Sequence, residues 1–423
     1  MSKFLFAWEL GANYGHLVRD LPVAERLRAA GHAVAFAVSD TRTAAELLAP
    51  RRFAFFQAPL TLRPPRLAHP PANYAELLLA ENWGDRTSLL GRVEAWHSLF
   101  ALIRPDLLVA DHAPTALLAA RCCGVRSIAM GSGFEIPPST RPLPSIRPWE
   151  EIPEARLLQS EALILDRANG LPGMHGEKSL HRLADLIPPG PIFTTFAQLD
   201  HYGARQDACY VGSIHGMGNS NKVTWPGHAG EARRILVYLR PDQRTTETVV
   251  GLLATLKATA ICIVPGAGKA FVDKYACAHL AISPQPLDLR ALLDRADVFV
   301  GYGSSGVIAE SLLAGVPLLM IPQTVEQYLG AARVESLGAG LIVGQKRGRT
   351  EIEIALEKLL TYPSYRHAAA GFSAQYREIT PEQAADRAAA TILAACRAQG
   401  DAYPVAAATL TDSPHSITAT VSS

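Results

Sequence analysis

No stretch of this chain is dense in charge of one sign. Its 40 Lys and Arg are scattered and balanced by 39 Asp and Glu, leaving a formal net charge of +1 over 423 residues. That argues against a nucleic-acid partner, which is held by neutralising many phosphates at once. Apolar runs are short, and none approaches the roughly 18–20 residues a spanning helix needs. The six cysteines (122, 123, 209, 262, 277 and 396) form no C-x-x-C pair and no cluster with histidine. They suit buried free thiols in a reducing compartment rather than a disulfide framework or a thiolate metal site. The N-terminus, MSKFLFAWELGANYGH, has one Lys and a short apolar run before Glu9. It reads as a first strand, not a leader peptide. The expectation is a cytoplasmic protein without a transmembrane segment, with peripheral membrane contact left open.

Two nucleotide-binding fingerprints are also missing. Gly11 and Gly15 follow the first apolar run, but the G-x-G-x-x-G of a dinucleotide site is absent. Gly266-Ala267-Gly268-Lys269 lacks the leading spacing and the Ser or Thr of a phosphate loop.

What is present is length for two domains and enough apolar content, 48%, to bury two cores. Phe4–Leu10, a glycine turn, an apolar helical period over 17–30, Gly31 and Ala33–Val38 make a strand–helix–strand unit. A second such pattern begins at Ile235–Leu239, followed by a helix at 244–257 and a strand at 259–264. Residues 161–188 read as helical. The stretch 134–160 is a proline-rich loop, a surface excursion or an ordered cover on a cleft. Tyr74, Trp83, Trp96 and Phe100 read as mainly core. The division expected is an N-terminal domain over 1–214, a Gly- and Asn-rich linker over 215–230 and a second domain over 231–380. A helix over 381–397 and an aperiodic, disordered tail over 398–423 complete it.

The densest signal lies between Asp297 and Gly340. A short buried strand, Val298–Val300, runs into Gly301-Tyr302-Gly303-Ser304-Ser305-Gly306 and then an amphipathic helix carrying Glu310. Backbone N–H groups at a helix start, with small residues around them, form an anion site. A second strand, Val316–Ile321, ends at Pro322 and leads to Glu326-Gln327, past a strand end where open α/β sheets bind ligands. A tight turn without a ligand fits the glycines equally well when they are taken alone.

The whole block resembles the C-terminal signature of the family 1 glycosyltransferases, enzymes of the GT-B fold that use nucleotide sugars. Tyr302 to Ser311, Gly315-Val316-Pro317, Glu326-Gln327 and Gly338-Ala339-Gly340 carry the match. Three departures stand out. Tyr302 replaces the family's phosphate-binding His, Ser304 its second Gly, and Val307 its Thr. Gly15-His16, then Pro22 and Gly31-His32, resembles the family's opening, where the first His is the catalytic base. Asp111, ending the strand Leu107–Ala110, matches the Asp that orients it. In sequence alone His16 reads equally as a packing or capping His, and Asp111 as a helix N-cap.

The resemblance implies two Rossmann-like α/β domains with parallel sheets facing across a cleft. It implies inverting transfer of a sugar from a UDP- or dTDP-sugar to a hydroxyl of a small, apolar or aromatic acceptor, as in natural-product glycosylation. No metal or cofactor is implied. The roles it implies are His16 as base and Asp111 as its orienter. Gly303, Ser304, Ser305, Gly306 and Val307 would hold the diphosphate, with Tyr302 beside them. By its charge, Arg240 after the strand Ile235–Leu239 reads either as a partner of phosphate oxygens that partly replaces the lost His or, equally, as a surface residue. Glu310 would hold the ribose, Gln285, Pro286 and Leu287 the base, and Glu326 and Gln327 the sugar. Asp106 and His112 are set aside. Two other readings stay open: another GT-B enzyme (a nucleotide-sugar epimerase or a lipid-linked sugar transferase) and a degenerate binding protein of the same fold.

Overall fold

The computed structural model describes residues 1–11, 14–206, 208–214, 223–226, 233–241, 244–256, 258–344 and 348–398. The chain enters through β1 (Lys3–Trp8), α1 (Gly15–Ala29), β2 (Ala33–Val38), α2 (Thr41–Leu47) and β3 (Ala54–Gln57). Helices α3 (Tyr74–Ala80) and α4 (Arg86–Ile103) precede β4 (Leu107–Asp111), α5 (Pro114–Cys123), β5 (Ser127–Gly131), α6 (Glu154–Asn169), β6 (Ile192–Phe193) and β7 (Cys209–Tyr210). These strands form one sheet in the order β3-β2-β1-β4-β5-β6-β7 with every pairing parallel.

The second half repeats the plan. It runs β8 (Arg234–Tyr238), α7 (Arg244–Leu253), β9 (Thr259–Ile263), α8 (Lys269–Tyr275), β10 (Leu280–Ser283), α9 (Leu289–Leu293), β11 (Val298–Gly301), α10 (Ser305–Leu313), β12 (Leu318–Met320), α11 (Val325–Ser336) and β13 (Gly340–Ile342). Helices α12 (Arg349–Thr361), α13 (Pro363–Tyr376) and α14 (Pro381–Arg397) close the described chain. Its sheet, β10-β9-β8-β11-β12-β13, is again wholly parallel.

Parallel sheets are covered by helices on both faces, so their central strands are apolar throughout. Phe4 to Trp8 of β1 are each at most 1% exposed, and Val298, Phe299 and Val300 of β11 are as deeply buried. In both sheets the central strand delivers its following turn to the carboxyl edge, where ligands bind in such folds.

Helix α14 returns to the first domain. Its Ala384, Ala385 and Ala388 share a core with Leu17, Leu21 and Ala24 of α1. Arg26 ion-pairs with Asp386 and donates from Nη2 to the Glu382 carbonyl at 2.9 Å. The anticipated linker, 215–230, lies outside the described residues apart from 223–226, as does the anticipated tail, 398–423, apart from Ala398.

Two expectations are corrected. The helix anticipated over 161–188 is α6, which starts at Glu154 and ends at Asn169. Gly170, Pro172 and Gly173 (φ 86°) end it, since Pro lacks the N–H and Gly supplies the left-handed turn. The proline-rich loop accordingly stops at Pro153. It does cross the cleft: Phe134 and Ile146 pack with Leu329 of α11, and Trp149 meets Tyr328 edge-on at 4.4 Å between ring centroids. Tyr74, Trp83, Trp96 and Phe100 are buried in the first core.

Candidate active site

The register of the first sheet sets Trp8 directly opposite Asp111. Both strands end there, and α1 starts at Gly15, so His16 meets Asp111 at the sheet's carboxyl edge. His16 Nδ1 lies 3.0 Å from Asp111 Oδ1. An ionised carboxylate only accepts, so Nδ1 carries the proton and Nε2 keeps a free lone pair. Trp8 stacks on the imidazole at 5.2 Å between centroids. Asp111 is fully buried. Burial alone pushes its carboxyl up, but Arg19 and then His16 hold it well below the usual carboxylate range.

Gly11 fits this geometry tightly. Its φ is 88°, and a Cβ there would sit 2.3 Å from His16 Nε2. Gly11→Ala therefore carries both a strained backbone and a collision with His16 Nε2. We expect its turnover to fall at least tenfold and its melting temperature to drop by a few degrees, with its circular dichroism close to wild type. Full turnover in that variant would show that the ring tolerates displacement.

Around the pair lies a buried charged group that sequence reasoning missed. Arg19, 9% exposed, donates from Nε to Asp111 Oδ2 at 3.2 Å and from Nη2 to Asp111 Oδ1. The same Nη2 donates to Glu135 Oε1 at 2.9 Å. Glu135 reaches back from the turn after β5, accepting from Ser132 N at 2.7 Å. Gly131 makes the room, since a Cβ there would lie 2.4 Å from the Glu135 side chain. Asp20 is 1% exposed, and burial and the neighbouring Asp111 push its carboxyl well above the ordinary value. The available signal was helical: Arg19 and Asp20 stand three and four residues after His16, one turn along the same face.

His112, set aside as a catalytic residue, lies beside this group. It turns the chain after β4 with φ 49°, and its ring lies 6.3 Å from that of His16. Burial lowers its pKa to about 4, so it is neutral at physiological pH. Asp106 stays structural, accepting from Lys3 N at 2.7 Å. Glu9, which ends the first strand region, caps α5 from outside, accepting from Thr115 N (2.8 Å) and Ala116 N (2.9 Å). That bond pins the turn bearing Asp111 and His112 to β1. Beside it a cavity of about 310 Å³ opens between the ends of β1, β2 and α4, lined in part by Trp8, Gly11, Leu60, Glu81 and Arg92.

The second domain supplies the opposite wall. Ser304, at the N-cap of α10, makes no side-chain cap bond. The first-turn N–H groups of Ser305, Gly306 and Val307 have no partner within the helix. Gly303 has φ 84°, and a Cβ there would lie 3.3 Å from the Gln327 carbonyl, so the turn abuts α11. Burial and then Asp288 push the Glu310 carboxyl up to about 7, against Arg290. Leu287 is buried while Gln285 and Pro286 are exposed on the turn after β10.

Glu326 is the residue that joins the halves. Burial pushes its carboxyl up, Glu135 adds to that, and His201, His16 and Arg19 pull it down across the cleft. Glu326 thus feels the charges of the His16 group electrostatically. Gln327 is placed otherwise: its Oε1 accepts from Gln323 N at 2.8 Å and closes the start of α11. Tyr302 has a further contact. Its hydroxyl accepts from Arg240 N at 3.0 Å, and its ring packs into the second core, so it braces the turn after β8. Arg240 is exposed at that turn. Among the described residues no group of three His, Cys, Asp or Glu is arranged to hold a metal, and no helix is long and apolar enough to cross a membrane.

Comparison with known proteins follows the same division. Residues 284–391 match the family model described as erythromycin biosynthesis protein CIII-like, C-terminal domain. Over 399 residues the chain is 25% identical to a PGL/p-HBAD biosynthesis glycosyltransferase of Mycobacterium tuberculosis, covering 87% of each chain. Among solved structures it is similar to the calicheamicin glycosyltransferase CalG4, with TM-score 0.68, 18% identity, and 93% and 98% of the two chains covered. The glycosyltransferase VinC, solved in complex with dTDP, aligns with TM-score 0.55 and 16% identity over 91% of this chain and all of that one.

Proposed function

We propose that this chain, a family 1 glycosyltransferase of the GT-B fold, moves a sugar from a nucleotide diphosphate donor to a hydroxyl of a small natural-product-like acceptor with inversion. The observation that carries the reading is the His16–Asp111 pair at one sheet edge, faced across the cleft by Glu326 and the uncapped start of α10.

The acceptor lies against the first domain, at the cavity beside Gly11. Its hydroxyl gives its proton to His16 Nε2 as its oxygen attacks the anomeric carbon from the face opposite the leaving group. Asp111 stabilises the imidazolium that forms and keeps Nδ1–H turned inward. The bond from the anomeric carbon to the diphosphate breaks, and its electron pair stays with the nucleotide. The positive end of α10 meets that charge, so the reading requires no metal. Glu326 faces the sugar, with Gln327 bracing the start of α11 beside it, Glu310 faces the ribose, and the turn at 285–287 the nucleotide base. The lining of the acceptor cavity is mixed, with Glu81 and Arg92 beside Trp8 and Leu60. It suits an acceptor bearing polar groups on an apolar frame. Both the M. tuberculosis relative, named for PGL/p-HBAD biosynthesis, and VinC, solved with dTDP, support this class of reaction.

Glu310 gives the donor site a pH dependence. Ribose hydroxyls donate best to an ionised carboxylate, and this one titrates at about 7. Donor affinity should therefore rise as pH rises through 7. Titrating dTDP-glucose or UDP-glucose, whose diphosphate does not titrate in this range, should give Kd up to about tenfold tighter at pH 8 than at pH 6. Glu310→Gln should flatten the profile. A flat wild-type profile would remove Glu310 from the donor site.

A further inference from the structure

The orienting carboxylate in this protein is shared. Asp111 accepts from His16 on Oδ1, and from Arg19 on both oxygens. Arg19 in turn spans Asp111 and Glu135, and its Nη2 stands 3.2 Å from His16 Nδ1. Two side chains of α1 thus bring three N–H donors to one buried carboxylate. The arginine presents its Nε and Nη2 edge, the planar fork that fixes a carboxylate's orientation.

Every charged or titratable group facing His16 can be placed. Asp111 and His112 come from the end of β4, Arg19 and Asp20 from α1, Glu135 from the turn after β5, and Glu326 from α11. Burial lowers the pKa of His112 to about 4, leaving it neutral, and burial with Asp111 pushes the Asp20 carboxyl well above its ordinary value. Arg19 stays charged between its two carboxylates, and both of those are held ionised against burial by Arg19. Among the three hydrogen-bonded groups Arg19, Asp111 and Glu135, one positive and two negative charges stand beside the neutral imidazole. One more proton makes the set electrically balanced.

We propose that Arg19 is a positioning residue that sets the charge around His16: it holds Asp111 in line with the imidazole and, by offsetting one of the two carboxylates, keeps that imidazole neutral until it takes the acceptor's proton. The inference rests on the reading of His16 as the base. Without Arg19, two uncompensated carboxylates would hold His16 protonated before substrate arrives, and the base would already be spent. Without the charge of Glu135, the group would be balanced before proton transfer and would resist it.

The test is a titration of the His16 imidazole by NMR on the full-length ¹⁵N-histidine-labelled protein, with His16→Ala identifying its resonances. In Arg19→Met the His16 midpoint should rise by about 1–3 pH units, the range for an opposite charge within a few ångströms. In Glu135→Gln, close in shape, it should fall by about 1. Arg19→Lys keeps the charge but loses the fork, so its midpoint should stay near wild type while turnover drops. A midpoint unmoved in Arg19→Met, or unmoved in Glu135→Gln, overturns the inference. If Arg19→Met does not fold, Glu135→Gln alone decides by the same criterion. A merely structural arginine would lower stability without moving the midpoint in either direction. The deciding outcomes, the Arg19→Met and Glu135→Gln midpoints, do not depend on turnover, so a failure of the base assignment, seen as His16→Ala retaining activity, is separately visible.

Discussion

Replacing His16 with alanine should lower kcat by about 10²–10⁴ and leave donor affinity within a few-fold of wild type. The size is that of general-base catalysis. An acceptor hydroxyl is a weak nucleophile, and the structure offers its proton one well-placed neutral nitrogen. Nδ1 is committed to Asp111 at 3.0 Å, which leaves Nε2, packed beside Gly11, as the nitrogen that can take a proton. His112 does not replace it: its ring lies 6.3 Å away and its titration is lowered by burial to about 4. Steady-state kinetics with 4-methylumbelliferone as acceptor checks this, with calorimetry of donor binding as the control for folding. Turnover within about tenfold of wild type would remove His16 from the chemistry.

Asp111→Asn should cost at least about a hundredfold in kcat with the fold retained. Asparagine is nearly isosteric, but it stabilises an imidazolium far less, and its amide can turn N–H toward Nδ1 and select the wrong tautomer. Here the change reaches further, because Asp111 is also the partner of Arg19. Its loss leaves Arg19 with Glu135 alone, next to a ring that must accept positive charge. We therefore expect Asp111→Asn to fall below Glu135→Gln in turnover at every pH between 6 and 9. Equal losses in the two variants would mean that Asp111 acts only through the arginine.

The two-sheet fold was legible because parallel strands leave a strong trace. Phe4–Trp8 and Val298–Val300 are apolar without alternation, and each runs into a glycine turn and a helix. Helix α14 was read at its observed bounds because Pro381 and the alanine stripe mark both start and face. Helix α6 was misread because its period continued past Asn169 into a Gly-Pro-Gly break whose stop signal went unweighted. The pairing of His16 with Asp111 came from resemblance, as it had to. The two residues are 95 apart, and only the register of β1 against β4 brings them together. Arg19 and Glu135 were invisible for the same reason: a buried arginine on an amphipathic helix looks like a solvated one until both of its partners are placed. The motif gives the place of Tyr302 but not the bond its hydroxyl accepts from Arg240 N at 3.0 Å. Position in a motif sets where the Cα lies and leaves the direction of a long side chain to packing.

The central claim is that the cleft takes a nucleotide sugar at the α10 turn. Isothermal titration of the wild-type chain and of Glu310→Ala with UDP- and dTDP-sugars tests it most directly. We predict saturable binding of at least one donor near one per chain, weakened about tenfold or more in Glu310→Ala, as loss of a charge-assisted hydrogen bond implies. Heat-silent titrations with every donor, and no rise in melting temperature at saturating concentration, would contradict it and leave a GT-B protein that has lost its donor.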